Sequence, residues 1–359
     1  MSTYRTLEIA SKVHDYSVFF TDDFTGFLAE PDAAEFYLVD ANVARLYAEQ
    51  LAPVFARPHL IIEATEANKS IEGCTRAMYE LVEGGFKRGM RLVAIGGGIV
   101  QDICCFCATV IYRGVEWRFY PTTLLAQADS CIGSKSSVNM GDYKNLVGSF
   151  YPPNDIVLDT AFLTTLAQGD ILSGLGEIIK VHLLDSPESM EYMRERYAAA
   201  RADVRSDAMA ELIVSALSIK KRVIEIDEYD RDYRNIMNYG HTFGHAIESL
   251  TDYGMPHGQA ITIGMDLAND LSWFLGMIDE ATYRRMREAI EPNWPSMSLA
   301  GLDLEKLFDA LKKDKKNTDE RVAFILTRGP GQMSRERVAL DDAVRGRIAA
   351  WFEAYRPAE

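Results

Sequence analysis

Five short apolar runs mark the first 160 residues: "EFYLVD", "HLIIEA", "RLVAIGGG", "WRFYPTT" and "DIVLDT". Each reads as a short buried strand. Helical patterns over 69–88 and 99–112 lie between them, and such alternation predicts a parallel sheet with helices on its faces. From about residue 168 the period becomes helical, over 168–185, 188–225, 233–250, 257–276, 279–289 and 304–313. One late strand-like piece, "RVAFILT", interrupts it. The pattern therefore predicts an α/β domain over 1–160 and a mostly helical domain over 161–359. A cleft between two such domains is a usual place for a ligand.

A length of 359 residues agrees with two domains. With 48% hydrophobic and 25% charged residues the composition is that of a soluble globular protein. No apolar run reaches membrane-spanning length, and "MSTYRTLEIASKVHDY" lacks the pattern of a secretory signal, so a cytoplasmic protein is expected. The five cysteines, including the "CCFC" run, form no spaced framework and read as small buried hydrophobes. The net charge of −15 argues against nucleic acid and anionic membranes as partners. An anionic substrate would then need basic groups concentrated locally.

"VAIGGGIVQD" sets Gly96, Gly97 and Gly98 between a strand and a helix, with Asp102 one turn on. Glycines allow close approach of a pyrophosphate, and a helix N-terminus favours anions. The G-x-G-x-x-G fingerprint is absent, so a plain tight turn remains open. Asp40, after "FYLVD", and Glu66, near Lys69 in "EANKS", are acidic groups that could hold a ribose.

"NYGHTFGHAIES" holds His241 and His245 at i and i+4, on one helix face, and His257 follows in "MPHGQA". Spaced imidazoles suit Zn²⁺. Glu177, in the apolar "SGLGEIIKVHLL", could supply an oxygen, whereas His182, five residues on, faces elsewhere. Hydrogen-bonded core histidines are the bland alternative. The Gly/Ser/Asn-rich segment "DSCIGSKSSVNMGDYKNLVGSF" carries Asp129, Lys135, Lys144 and Asn145. Arg113, Lys220, Arg234 and the Lys315–Lys316 pair complete a set of candidate anion ligands.

Together "GGGIVQD", "YRG", "PTTLLAQADSCIGSK", "KNLVGSFYPP", "GLGEIIK", "RNIMNYGHTFGHAIES", "HGQA" and "DKKN" resemble the dehydroquinate synthase family of sugar-phosphate cyclases, from about residue 35 to 330. The resemblance implies a fold of α/β plus all-α class, a Rossmann-like parallel-sheet NAD-binding domain followed by a helical metal- and substrate-binding domain. It implies Glu177, His241 and His257 as ligands of zinc or cobalt, and moves His245 from metal to substrate. NAD would be held by Gly96, Gly97, Gly98, Asp102, Thr122, Thr123, Thr165 and Leu166, with Asp40, Glu66 and Lys69 toward the adenosine. Asp129, Lys135, Lys180, His245 and Asn238 would be catalytic. Arg113, Lys144, Asn145, Lys220, Arg234 and Lys316 would bind a sugar phosphate, Arg113 by reaching into a neighbouring subunit, which implies a homodimer. Ser134 stands where the family often has glycine, "CCFC" replaces an Ala/Gly run, and "LVGSFYPP" also resembles cyclitol-forming relatives. A metal-dependent polyol dehydrogenase is the nearest rival activity, and a non-catalytic paralogue a further one.

Overall fold

Each apolar run of the first 160 residues forms a strand in the computed structural model, which describes residues 3–29, 34–141, 143–312 and 321–357. In chain order these elements are β1 (Thr3–Ile9), β2 (Tyr16–Thr21), α1 (Phe24–Ala29), β3 (Glu35–Asp40), α2 (Ala41–Leu46), α3 (Ala52–Phe55) and β4 (His59–Ile62). They continue with α4 (Ile71–Glu83), β5 (Arg91–Gly96), α5 (Gly98–Val110), β6 (Trp117–Pro121), β7 (Lys135–Met140), β8 (Tyr143–Phe150) and β9 (Asp155–Leu158). The sheet order is β1-β2-β9-β6-β5-β3-β4, with every pairing parallel except β1 with β2. Its central strands are continuous apolar runs, such as Phe36–Val39 and Leu92–Ile95, because helices cover both faces. One face packs Tyr37, Val39, Val93, Ile95, Tyr120 and Val157 against Phe24, Phe27 and Phe162.

The helical region comprises α6 (Gln168–Asp185), α7 (Pro187–Ala202), α8 (Asp207–Ile226), α9 (His241–Leu250), α10 (His257–Phe274), α11 (Glu280–Ile290), α12 (Leu304–Lys312) and α13 (Asp342–Ala354), with a hairpin of β10 (Arg321–Thr327) and β11 (Met333–Ala339). The chain divides into unit 1, Met1–Leu166 with Lys220–Tyr229, and unit 2, Ala167–Ile219 with Asp230–Glu359. The last turns of α8 thus belong to unit 1. Helix α10 is buried continuously from Gly258 to Ser272, as expected of a helix at the centre of a bundle. No helix among the described residues is long and apolar enough to cross a membrane.

Three local expectations change. The helix expected over 188–225 is two helices, parted at 203–206, where the Asp203 carboxylate accepts from Arg205 N at 2.8 Å. That of 233–250 is a 3₁₀ turn, Tyr233–Asn238, followed by α9, because Gly240 at φ 79 reverses the backbone between them. The Gly/Ser/Asn-rich segment, whose composition suggests a loop, is the antiparallel hairpin β7–β8, paired from Lys135↔Phe150 onward.

Candidate functional site

In unit 2, three elements deliver one cluster of donors. Helix α6 supplies Glu177 and Lys180, α9 opens on His241, and α10 opens on His257 after Pro256, whose φ of −57 suits a residue entering a helix. Helices α6 and α10 touch backbone to backbone. A Cβ added at Gly176 would stand 2.2 Å from Gly258 O, and one added at Gly258 would stand 1.8 Å from Ser173 O. Only glycine at both positions permits this crossing, which puts Glu177 Oε1 at 3.5 Å from His257 Nε2 and 3.9 Å from His241 Nε2.

The hydrogen bonds leave these three atoms for a cation. Lys180 holds Glu177 Oε2, while the buried Oε1 has no hydrogen-bond partner. His241 Nδ1 lies 3.2 Å from Tyr239 O, which can only accept, so its proton sits on Nδ1 and Nε2 keeps its lone pair. His257 Nδ1 lies 3.0 Å from Glu248 Oε1, which orients that ring in the same sense. Burial would raise the Glu177 carboxyl, but Lys180 and the two imidazoles override it and hold it well below the usual range. Burial, aided by Lys180, pushes His241 far down. Burial also opposes protonation of His257, yet Glu177 and Glu248 carry it up to about 10, so a proton rests where a cation would displace it. Two nitrogens and an oxygen whose ligand atoms lie within 4.8 Å of one another fit a divalent ion such as zinc or cobalt. A second set, His245, Glu248 and His257, is equally close. In it Glu248 Oε1 already engages His257 Nδ1, whereas Glu177 Oε1 has no hydrogen-bond partner, so the set with Glu177 is the better chelate. The exposed His245 ring stands beside both, 5.2 Å from the His241 ring.

Arg234 is buried, on the 3₁₀ turn, and Asn238 Nδ2 donates to Asn235 O at 3.1 Å. Because Gly240 breaks the chain direction, Arg234 and His241 lie on separate elements rather than on the one helix expected over 233–250.

Unit 1 carries the residues expected to bind cofactor and most of those expected to bind an anionic substrate. Gly97 is the N-cap of α5 and supplies no side-chain cap, so the first N–H groups of this thirteen-residue helix receive no acceptor from it. A Cβ on Gly97 would press to 2.9 Å from Thr123, and Thr122 N donates to Gly96 O at 2.9 Å. Lys69 joins the neighbouring groups: its ammonium bonds Asn145 Oδ1 at 2.7 Å and Asp102 Oδ2 at 3.3 Å, with Glu66 at 3.8 Å. Burial pushes the Asp102 carboxyl up to about 6 against the pull of Lys69. Asp40 caps α2 through Asn42 N and Val43 N. Thr165 Oγ1 lies 3.0 Å from Tyr47 OH, and Leu166 N donates to Leu163 O. Lys220 binds Asp129 twice, at Oδ1 (2.8 Å) and at its backbone O (2.7 Å), a pairing their separation in sequence did not suggest. Lys135 and Lys144 are exposed on the hairpin. Arg113 is exposed after Tyr112, both in left-handed conformations (φ 70 and 51). Lys315, Lys316 and "DKKN" lie outside the described residues.

Two participants escaped the sequence reading. Glu248 follows His245 by three residues and His241 by seven, so helical spacing alone places it on their face. Asn139 accepts from Asn145 N (2.8 Å) and donates to Glu66 Oε1 (2.9 Å), contacts of a hairpin that was not recognised as one.

The 3-dehydroquinate synthase N-terminal family description matches residues 59–173, and the 3-dehydroquinate synthase C-terminal one matches 174–317. A 3-dehydroquinate synthase of Thermoanaerobacter pseudethanolicus is 34% identical over 338 residues, covering 91% of this chain and 95% of that one. Among solved structures, 2-deoxy-scyllo-inosose synthase complexed with carbaglucose-6-phosphate, NAD⁺ and Co²⁺ matches with a TM-score of 0.85 at 23% identity, over 96% of this chain and 99% of that one. The 2-epi-5-epi-valiolone synthase of Streptomyces hygroscopicus subsp. jinggangensis, with NAD⁺ and Zn²⁺ bound, gives 0.83 at 24% identity over the same shares. These structural likenesses establish the fold, and with the two family matches and the curated relative they lead to one conclusion: the chain belongs to the 3-dehydroquinate synthase family.

Proposed function

We propose that the protein is an NAD- and metal-dependent 3-dehydroquinate synthase, which eliminates phosphate from a seven-carbon acid phosphate and closes the carbocycle of 3-dehydroquinate. The observation that carries this reading is the orphan Glu177 oxygen facing two imidazole nitrogens, in a chain aligned over nine-tenths of its length with such an enzyme. When bound, NAD⁺ supplies reversible oxidation of a ring hydroxyl and the divalent cation supplies Lewis acidity.

The remaining work falls to the chain. The uncapped start of α5 receives the cofactor's pyrophosphate beside Asp102, Thr122, Thr123, Thr165 and Leu166, with Asp40, Glu66 and Lys69 toward the adenosine. Lys135, Lys144, Asn145 and Lys316 bind the phosphate, neutralising the charge with which it leaves. They also hold one of its oxygens where it can take the neighbouring C–H proton. Lys180 keeps Glu177 ionised, and His245 and Asn238 orient ring hydroxyls. The Arg234 fork suits the substrate carboxylate. Asp129, engaged by Lys220, is fixed in orientation before substrate arrives. The exposed Arg113 on its left-handed turn reaches a second copy in a cytoplasmic homodimer.

Ser134 and "LVGSFYPP" favour a second reading, a cyclitol-forming cyclase that takes a sugar phosphate without a carboxylate. Incubation with C6 and C7 sugar phosphates, followed by mass analysis of the product, separates the two. Phosphate release from the carboxylated substrate without net NADH is expected. NADH accumulation would instead indicate a polyol dehydrogenase.

A further inference from the structure

The residue before Lys135 is held in a way that its neighbours in sequence do not explain. Ser134 lies at φ 63, a conformation that glycine adopts freely and a residue with a Cβ does not. Its hydroxyl is buried and donates to Glu228 Oε1. The same carboxylate oxygen accepts the Ser11 hydroxyl at 2.6 Å, and Oε2 accepts Lys12 N–H at 2.7 Å. Burial opposes the charge on Glu228, but Ser11, Ser134 and Lys12 outweigh it and keep the carboxyl below its ordinary value. On either side the backbone is tied down. Gly133 N donates to Tyr16 OH at 3.0 Å, Lys135 N to Gly133 O at 2.7 Å, and Tyr151 N to Ser134 O at 2.8 Å. Glu228 also belongs to the segment whose Lys220 holds Asp129.

We infer that Ser134 and Glu228 form a clamp that positions Lys135 for the substrate phosphate, an inference that rests on the phosphate role of Lys135 proposed above. The hydroxyl on an ionised carboxylate is a charge-assisted bond and fixes the strained turn from which the long, exposed lysine projects. Without it the ammonium samples more positions, and binding weakens before chemistry does. Ser134 and Glu228 are positioning residues, and neither needs to touch the substrate.

The test is a double-mutant cycle of Ser134→Ala and Lys135→Ala. It reads KM and kcat for phosphate release and the Kd of inorganic phosphate by calorimetry. Ser134→Ala raises KM and Kd by about tenfold, with kcat within about twofold, the scale of one lost charged hydrogen bond. Lys135→Ala raises them further, and the double variant equals Lys135→Ala alone. Ser134→Gly shows the same KM shift although glycine relieves the strain, and it carries the test should the alanine variant fold poorly. Wild-type KM and Kd in both serine variants, beside an impaired Lys135→Ala, would overturn the clamp and leave Lys135 in place. A Ser134 effect that persists in full without Lys135 would overturn it as well. Wild-type behaviour of Lys135→Ala itself would remove Lys135 from the site, and the clamp's purpose with it.

Discussion

Replacing Gly258 by alanine is expected to expel the divalent cation while the protein stays folded. The new Cβ would stand 1.8 Å from Ser173 O, and ordinary contact begins at 3.4 Å, so α10 must retreat from α6 by about 1.6 Å. Glu177 rides on α6 and His257 on α10, with their facing atoms now 3.5 Å apart. A tetrahedral zinc with bonds of about 2.0–2.2 Å holds its donors about 3.3–3.6 Å apart, and even an opposed pair spans only about 4.2 Å. A displacement along that line takes the separation to about 5 Å, beyond the reach of one ion. Metal affinity falls by on the order of 10²-fold or more, the scale of losing a ligand rather than a supporting contact. Overpacking costs about 1–3 kcal/mol, which a folded domain of this size survives. Metal content is read by elemental analysis and by competition with a chromophoric chelator, alongside circular dichroism melts. Gly346→Ala in α13, where an added methyl meets no atom within 4 Å, is the control. A folded Gly258→Ala protein with wild-type metal affinity would refute the idea that this crossing sets the site.

Glu248→Gln weakens the grip on His257 Nδ1 and lowers metal affinity about 10–100-fold in chelator competition, whereas an unchanged affinity would make the contact incidental. Arg234→Ala raises KM for the carboxylated substrate by roughly 10²-fold, from the loss of a charged hydrogen bond worth about 1.5–3 kcal/mol, and leaves KM for a sugar phosphate without a carboxylate unaltered. Burial lowers His182 from 6.5 to about 4, with Nδ1 2.7 Å from Ile178 O and Nε2 3.0 Å from Ser215 Oγ. Its folded value lies below its unfolded one, so the unfolded chain binds more protons between them, and stability is lost as pH falls from 6.5 toward 4. The stability difference between wild type and His182→Gln should narrow by about 2 kcal/mol from pH 7.5 to pH 5 in urea unfolding, and an unchanged difference would dismiss the histidine.

Legibility in the sequence followed the burial of each segment. Strands β3 and β5 are buried on both faces, so their apolar runs stand out without reference to anything else. The hairpin β7–β8 is built from "KSSVNM" and "YKNLVGSF", whose pairing depends on partner backbone rather than on apolar period. The candidate donors Glu177, His241 and His257 follow as a set only from the family resemblance. Residue spacing alone favoured His241 with His245, because it sees one helix and not the crossing of α6 with α10. Lys220 with Asp129 and Ser134 with Glu228 are partners roughly 90 residues apart, and no local pattern encodes them.

The return of residues 220–229 to unit 1 bears on how the protein can be made. During synthesis the ribosome delivers Ala167–Ile219, the opening stretch of unit 2, before it delivers Lys220 and Glu228. Until then Asp129 lacks its ammonium, and Ser11, Lys12 and Ser134 lack their carboxylate. Of these Ser134 is buried, and a buried hydroxyl without its acceptor is costly, so unit 1 reaches its final form only after residues 220–229 have been made. A fragment ending at Leu166 inherits the same deficit for good. The two units are interleaved in translation time, and the completion of the first waits until the opening stretch of the second has been made.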